Sequence, residues 1–505
     1  MMEAMRVDQR NVRKVVIAGG GTAGWIAAAA LVKQLGPLLE ITLVESDDIG
    51  TVGVGESTIP TSRTFHNFLG IDEQAFMRAT QASFKLGISF ENWGRQGERY
   101  FHSFGTIGRA STWMGDFHHL WLHARERGFA APLGDYCFEL KAAAAERFAT
   151  EKDARINYAY HLDASRYARF LRALSEPAGV RRVEGRIERV EQNAETGFVE
   201  ALVLDSGIRI EGDLFLDCTG FRGLLIEQTL QTGYDDWTQW LPTDSAIAVQ
   251  TASVGPAVPY TRAIAHEAGW RWRIPLQHRV GNGIVYAQGC LSDDEARAKL
   301  LADVEGEVLT EPRVIRYQTG ARRKVWNKNV VALGLSSGFV EPLESTSIHL
   351  MKIAITRLIQ LFPFDGIDDA LVDRFNTMSR RESEGVRDFI ILHYHLNQRD
   401  EPLWRRCREM QVPDTLAERI ALFRQDAQAY QASEDLFRVD SWAQVMLGQN
   451  LEPRGFHRMG RMISDANLTD ALKDIRTDVA DRVARLPAHQ DFLNRYCAGA
   501  QASGA

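Results

Sequence analysis

Cysteine is scarce and scattered in this 505-residue chain: five residues, at 137, 218, 290, 407 and 497, with no CxxC pair. An odd, dispersed set argues against a disulfide framework and against a zinc site, and it points to a reducing cytoplasmic setting with no bound metal. Long apolar runs are missing too. The longest, Ala23 to Val32, is far shorter than the roughly 20 residues a membrane helix needs. Met1 to Lys14 is polar and charged, without the apolar centre of a signal peptide. Positive charge is not in excess, since the formal net charge is -7. Neither nucleic acid nor an anionic membrane is therefore an expected partner. The basic stretches Arg322-Arg323-Lys324 and Arg405-Arg406 are short and read as solvated faces. No internal repeat or low-complexity linker interrupts the chain.

Apolar residues make up 45% of the sequence, enough for a large core. Length alone suggests two to four domains, but an interrupted nucleotide-binding fold absorbs that length as one interlocked unit. Residues 15–18 (Val-Val-Ile-Ala) form a buried strand, and a helix follows through Leu35. Residues 40–45 (Glu-Ile-Thr-Leu-Val-Glu) form the next strand, so a βαβ unit opens the chain. Between the first strand and the helix, Gly19, Gly21 and Gly24 match GxGxxG, with Thr22 and Ala23 at the helix start. The first glycine permits the tight turn, the second lets backbone approach a pyrophosphate, and the third allows close helix packing. Glu45 stands about twenty residues on, where an acid binds ribose hydroxyls. A glycine-rich turn with no ligand is the plainer alternative.

Asp217-Cys218-Thr219-Gly220 follows a strand and resembles the second fingerprint of FAD-containing oxygenases. Val330-Val331-Ala332-Leu333-Gly334 leads into a small-residue turn in a similar way. Three such segments in this order favour FAD over NAD, and Gly220 and Gly334 join the candidate cofactor-binding residues. Residues 157–174 show an amphipathic helix pattern with a His161-Leu162-Asp163 entry, and strands alternate with turns from Val180 to Asp217. The stretch 244–290 alternates like a sheet. Ile348, Met351, Ile355, Leu358, Ile359 and Phe362 line one face of a helix that stops before Pro363. The fold class expected is α/β: a Rossmann-like FAD-binding fold of the flavin monooxygenase type with an inserted β-sheet. Residues 1–365 form that core, 366–497 a mostly helical substrate-side part, and 498–505 a disordered tail.

Further segments point to one family. They are Gly53-Val54-Gly55-Glu56-Ser57-Thr58, Phe84-Lys85-Leu86-Gly87, Trp270-Arg271-Trp272-Arg273-Ile274-Pro275, and Gly338-Phe339-Val340-Glu341-Pro342-Leu343-Glu344-Ser345-Thr346. Together they resemble the flavin-dependent tryptophan halogenases from about residue 14 to 365. The resemblance implies that a separate NADH-dependent reductase supplies reduced FAD, which with molecular oxygen and chloride or bromide yields hypohalous acid. That oxidant passes through an internal tunnel to a lysine matching Lys85, which either forms a haloamine or hydrogen-bonds the oxidant. Desolvation of such an ammonium lowers its pKa toward the amine form. A carboxylate matching Glu344 stabilises the cationic ring intermediate or takes the proton lost on rearomatisation. The plainer readings are a surface lysine and a helix-start acid.

Trp270 and Trp272 share one strand face, since period two places them together. In the resemblance they, with Ile274 and Pro275, wall the flavin from the substrate; otherwise they are core aromatics. The family's halide turn is Ser-Thr-Gly, and here it reads Ser345-Thr346-Ser347, making Thr346 and Ser347 the halide candidates beside simple helix capping. His102 and Phe104 lie where the family holds its indole, with a core histidine as the bland alternative. Members acting on free tryptophan place a tyrosine pair in the C-terminal part. The counterpart here, Ser441-Trp442-Ala443-Gln444-Val445-Met446, lacks it, so indole or another indole-bearing aromatic is favoured. Two alternatives stand beside this: a single-component FAD-dependent hydroxylase using NADPH, and a non-catalytic flavin-binding protein. A homodimer is compatible with the sequence.

Overall fold

The computed structural model describes residues 11–48, 55–109, 115–150 and 156–498. Gly53 and Val54, and all of the expected disordered tail except Ala498, lie outside the described residues.

Strand β1 (Lys14–Ala18) has four consecutive buried residues, as a strand covered on both faces must. Helix α1 (Thr22–Leu35) is buried from Gly24 to Val32, because it packs against the helices Ala164–Ser175 and Ser347–Gln360. Its alanines let those helices approach closely. Strand β2 (Glu40–Glu45) then pairs in parallel with β1, Ala18 opposite Val44. On the other side of β1 lies the strand Leu214–Asp217, which puts Asp217 opposite Ala18. Val330–Ala332 pairs in parallel beyond that, and Arg181–Glu184 closes the other edge. Gly19, Glu45, Cys218 and Leu333 thus leave neighbouring strand ends on one side of the sheet, the edge where doubly wound folds bind ligands.

A second assembly is inserted into this unit. Strand β3 (Ser83–Lys85) belongs to a three-stranded sheet with Gly55–Ser57 and Ala159–Asp163. Strands β4 (Gly87–Glu91) and β5 (Arg99–Ser103) form a hairpin at the edge of a seven-stranded sheet. The centre of that sheet holds β6 (Gly269–Pro275) and β7 (Arg279–Tyr286), paired antiparallel. Three helices then matter for the site: α2 (Ser347–Gln360), α3 (Asp369–His395) and α4 (Val439–Gly448). One apolar core surrounds α1 and takes in Val372, Val479 and Leu493; another joins the seven-stranded sheet to residues of α3 and α4. The C-terminal helices contribute to both.

Two local expectations need correction. The helix pattern over 157–174 is split: Ala159–Asp163 is a strand, and the helix starts at Ala164, capped by the Asp163 carboxylate, which accepts from Arg166 N. Sheet pairing with Ser83–Lys85 claims the first half. Arg322 is not a solvated residue; it is buried, its guanidinium 2.6 Å from the Glu227 carboxylate and donating to Ser336 O. Arg405 and Arg406 are exposed. Among the described residues no helix is long and apolar enough to cross a membrane, and the five cysteines are free.

Candidate active site

The first part of the site is a glycine cradle at the N-terminus of α1. Gly19 has φ +109°, and a Cβ there would lie 2.4 Å from the carbonyl oxygen of Cys218. A Cβ on Gly24 would lie 1.9 Å from Gly19 O. The fold itself demands these two glycines. Gly21 differs, because a Cβ there meets nothing within 4 Å. The space beside it faces the first turn of α1, where Thr22 and Ala23 offer amides with no intrahelical acceptor. That turn carries no acid and no side-chain cap. An open, uncapped helix terminus suits a pyrophosphate.

Gly220 (φ +72°) likewise leaves open space, and Gly334 (φ +69°) comes close to Ala23 and Met351. Glu45 accepts from Trp25 Nε1 at 3.2 Å and is ion-paired with Arg182 and Arg172. Its carboxylate lies against Gly20, where any Cβ would collide with it. An acid held at the strand end beside the glycine loop, an open anion seat and positive-φ glycines on three adjacent loops fit FAD.

The second part lies where β3, β5 and the turn before α2 meet. Lys85 ends β3 with its side chain fully buried. Its ammonium donates to Ser345 Oγ at 2.8 Å and to Thr58 O at 3.3 Å, and it sits 5.1 Å from the centre of the Phe104 ring. Burial pulls the Lys85 pKa down to about 7, against the opposing pull of the Glu344 carboxylate.

Glu344 is also fully buried, at the end of a short 3-10 turn, and Ser345 after it adopts φ +60°. Its Oε2 lies 2.8 Å from His102 Nδ1 and its Oε1 2.9 Å from His393 Nε2. Burial opposes ionisation of Glu344, yet the two imidazoles outweigh it and hold the carboxyl at about 2. The site therefore pairs a lysine close to neutrality with a carboxylate that stays charged.

Thr346 caps α2 by position but makes no side-chain capping bond, and its buried Oγ1 has no partner. An unpartnered hydroxyl beside the free amides of a helix start is chemically suited to a small anion. Ser347 is the first residue of that helix.

The tryptophans lie on one face of β6, rings 6.1 Å apart. Trp270 Nε1 donates to Glu341 Oε2 at 2.8 Å, and Tyr394 donates to the same oxygen at 2.6 Å. Burial raises the Glu341 pKa above the ordinary carboxyl range, while these donors and Thr243 oppose the rise. Trp272 lies across Gly283 of β7, where a Cβ would be 2.0 Å from its ring. Ile274 packs against Gly55, and Pro275 O accepts from Ser83 Oγ. Trp270 is thus tied to the same turn as Glu344, through Glu341.

His102 faces Phe389 and Phe437 (5.4 and 6.1 Å between ring centres), and its buried Nε2 has no partner. Phe437 stacks on Phe389 at 3.7 Å, and Trp442 of α4 meets Phe389 edge-on. Gln444 of α4 fixes the helix to β5 by accepting from Ser103 N at 2.9 Å. Sequence reading had not singled out Tyr100, Phe389, His393 or Phe437. The available signal was a histidine and a tyrosine inside the apolar run Phe389-Ile390-Ile391-Leu392-His393-Tyr394, which reads equally well as core.

Fold and site together define a flavin-dependent oxidoreductase that carries a buried lysine–carboxylate pair away from its cofactor cradle. The tryptophan halogenase family model matches residues 14–465. Tryptophan 7-halogenase RebH of Lentzea aerocolonigenes is 35% identical over 96% of this chain and 99% of its own. Among solved structures, Xcc4156, a flavin-dependent halogenase from Xanthomonas campestris, superposes with a TM-score of 0.95 at 55% identity, covering 97% of this chain and 99% of that one. BrvH, a flavin-dependent halogenase from Brevundimonas sp. BAL3, gives 0.91 at 46%, covering 96% and 99%. The chain belongs to the tryptophan halogenase family and is a flavin-dependent halogenase. None of these relatives favours the hydroxylase alternative.

Proposed function

We propose that this enzyme halogenates an electron-rich aromatic, an indole or an indole-bearing molecule other than free tryptophan, through Lys85 and Glu344. Bound reduced FAD, replenished by a separate NADH-dependent reductase, supplies the activation of molecular oxygen that converts chloride or bromide to hypohalous acid. Gly19, Gly21, Thr22, Ala23, Gly24, Glu45, Gly220 and Gly334 would hold it, and Thr346 and Ser347 would seat the halide.

The chain's own residues do the rest. Trp270, tied to Glu341, and Trp272 beside it keep the organic substrate off the cofactor, so only the small oxidant crosses. Lys85 receives it in a dry pocket where Ser345 Oγ and Thr58 O already orient the Nζ. The ring attacks the halogen: a carbon–halogen bond forms and the halogen–oxygen bond breaks. The departing oxygen takes a proton from the Lys85 ammonium and leaves as water, and the ring proton passes to the Glu344 carboxylate, so one proton is given and one is received. A carboxylate of low pKa suffices, because the cationic ring is a far stronger acid than any carboxyl group. His102, Phe104, Phe389 and Phe437 flank the substrate. The single observation that carries this reading is that Lys85 and Glu344 are both fully buried and meet at one turn through Ser345.

The test supplies purified protein with FAD, a flavin reductase, NADH, oxygen and bromide or chloride, and offers indole and tryptophan separately. Halogen isotope patterns on indole, with tryptophan the poorer substrate and Lys85→Ala inactive, are expected. Equal turnover by wild type and Lys85→Ala, or no halogenated product from any electron-rich aromatic, overturns the proposal.

A further inference from the structure

The structure assigns Tyr100 and His393 a role of their own: they are positioning residues that fix the tautomer of an imidazole so that a proton rather than a lone pair lies against the Glu344 carboxylate. This rests on the reading of Glu344 as the group that meets the cationic ring. Four buried side chains form one continuous line. The Tyr100 hydroxyl is 2.6 Å from His393 Nδ1, His393 Nε2 is 2.9 Å from Glu344 Oε1, and Glu344 Oε2 is 2.8 Å from His102 Nδ1. The least buried of them, Tyr100, is 9% exposed.

The direction of the first bond follows from chemistry. Burial, with the nearby Glu344 charge, pushes the Tyr100 pKa well above its ordinary value, so the phenol keeps its proton and has one to give. Burial lowers the His393 pKa although Glu344 acts the other way, so the ring is neutral and carries one proton. A neutral imidazole that accepts at Nδ1 must hold that proton on Nε2, and Nε2 faces Oε1. The alternative tautomer could donate from Nδ1 to the phenol oxygen, but it would set a lone pair against a carboxylate at Nε2.

Packing holds the geometry. Phe90 lies opposite Tyr100 across the β4–β5 hairpin and stacks on it at 4.8 Å. The same Phe90 ring stacks on His393 at 4.4 Å, while Phe389 and Trp93 meet the imidazole edge-on. The imidazole is thus confined in an aromatic slot and can rotate neither out of plane nor into solvent. With His102 Nδ1 bonded at Oε2 and His393 Nε2 lying 2.9 Å from Oε1, the Glu344 carboxylate is held against the two imidazoles rather than on the Lys85 ammonium. Separation of the two groups is what leaves Lys85 free to hold the oxidant.

The test uses the FAD-loaded enzyme with its reductase. Tyr100→Phe should lower kcat for indole halogenation about tenfold, the size expected for one lost hydrogen bond to a charged network, with KM unchanged within roughly twofold. His393→Gln, whose amide N–H can still reach Oε1, should retain more activity than His393→Phe. The tautomer is read in wild-type protein by 15N NMR of labelled histidine and needs no variant to fold. A proton on Nε2 of His393 supports the assignment, and a proton on Nδ1 overturns it. Full activity of Tyr100→Phe beside an inactive Glu344→Gln overturns the positioning role alone. Full activity of Glu344→Gln overturns the reading of Glu344 and this role with it.

Discussion

Lys85 and Glu344 show how far burial alone can set chemistry. A lysine on the surface keeps its charge at pH 7; this one, with no exposed surface, is brought to about 7 and is half amine near neutrality. Its two hydrogen-bond acceptors, Ser345 Oγ and Thr58 O, are neutral, so the protein spends stability on keeping the charged form there. Lys85→Met has nearly the same shape without the charge. It should abolish halogenation, by at least about a hundredfold, while its urea midpoint at pH 7 stays at or above that of wild type. Turnover surviving in Lys85→Met, or a lowered midpoint, would contradict that account. Both residue types and their flanking segments were legible in the sequence. Their burial was not, nor was the second imidazole on Glu344, because His393 lies 49 residues further along the chain on another element.

At the scale of elements, the junction of β1 and α1 separates what folding needs from what binding needs. Gly24 lets α1 press onto the loop, and a methyl group there would collide with Gly19 O at 1.9 Å. Gly24→Ala should therefore destabilise the protein by about 1–3 kcal/mol, the usual cost of overpacking, and weaken FAD binding as a consequence. Gly21→Ala meets nothing within 4 Å, so its unfolding curve should match wild type while FAD affinity falls at least about tenfold. Titration with FAD and urea unfolding measure the two separately, and equal effects of the two substitutions on both would defeat the distinction. This βαβ unit was readable at once, since strand, turn and helix are continuous in sequence. The helix pattern over 157–174 misled for the opposite reason: residues 159–163 are claimed by pairing with Ser83–Lys85 and Gly55–Ser57, partners more than seventy residues away.

For the whole molecule, buried cations and imidazoles set the pH dependence of stability. Burial lowers His66 and His161 well below 6.5 and His489 to about 4, with Lys352 and Lys85 adding to the shift of the first two. Lys85 and Lys352 are each brought by burial to about 7. In every case the unfolded chain binds the proton more tightly than the folded protein does. The cost is fully present below each folded-state pKa and is relieved as pH rises toward the unfolded value. Histidines act up to about pH 6.5 and the two lysines from about 7 upward. Glu56, raised by burial to about 7, and Glu341, also raised, oppose the trend above about pH 4.5. Buried Cys137 and Cys407, raised to about 12, oppose it once unfolded thiols ionise near 8.5, but the histidines and lysines outnumber them. Urea midpoints should climb from pH 5 to about pH 8. The rise above pH 7 should be shallower in Lys352→Met, whose parent amine lies over Phe65 and Tyr167 without a hydrogen-bond partner. A midpoint flat or falling across that range would refute the assignment.

What the sequence by itself determined is the part of this protein written in neighbouring residues. The glycine turn, its flanking strand and helix, the Trp270–Trp272 alternation and the Lys85 and Glu344 segments each depend on spacing along the chain, and spacing survives without a fold. What only the tertiary structure decided is the environment those residues meet. It showed that Glu341 ties Trp270 to the turn that carries Glu344, that Arg182 and Arg172 hold Glu45, and that Tyr100 and His393 stand behind Glu344. The physical reason is that solvation and hydrogen bonding are properties of a volume. The side chains that exclude water from Lys85 or donate to Glu344 arrive from strands and helices hundreds of residues apart.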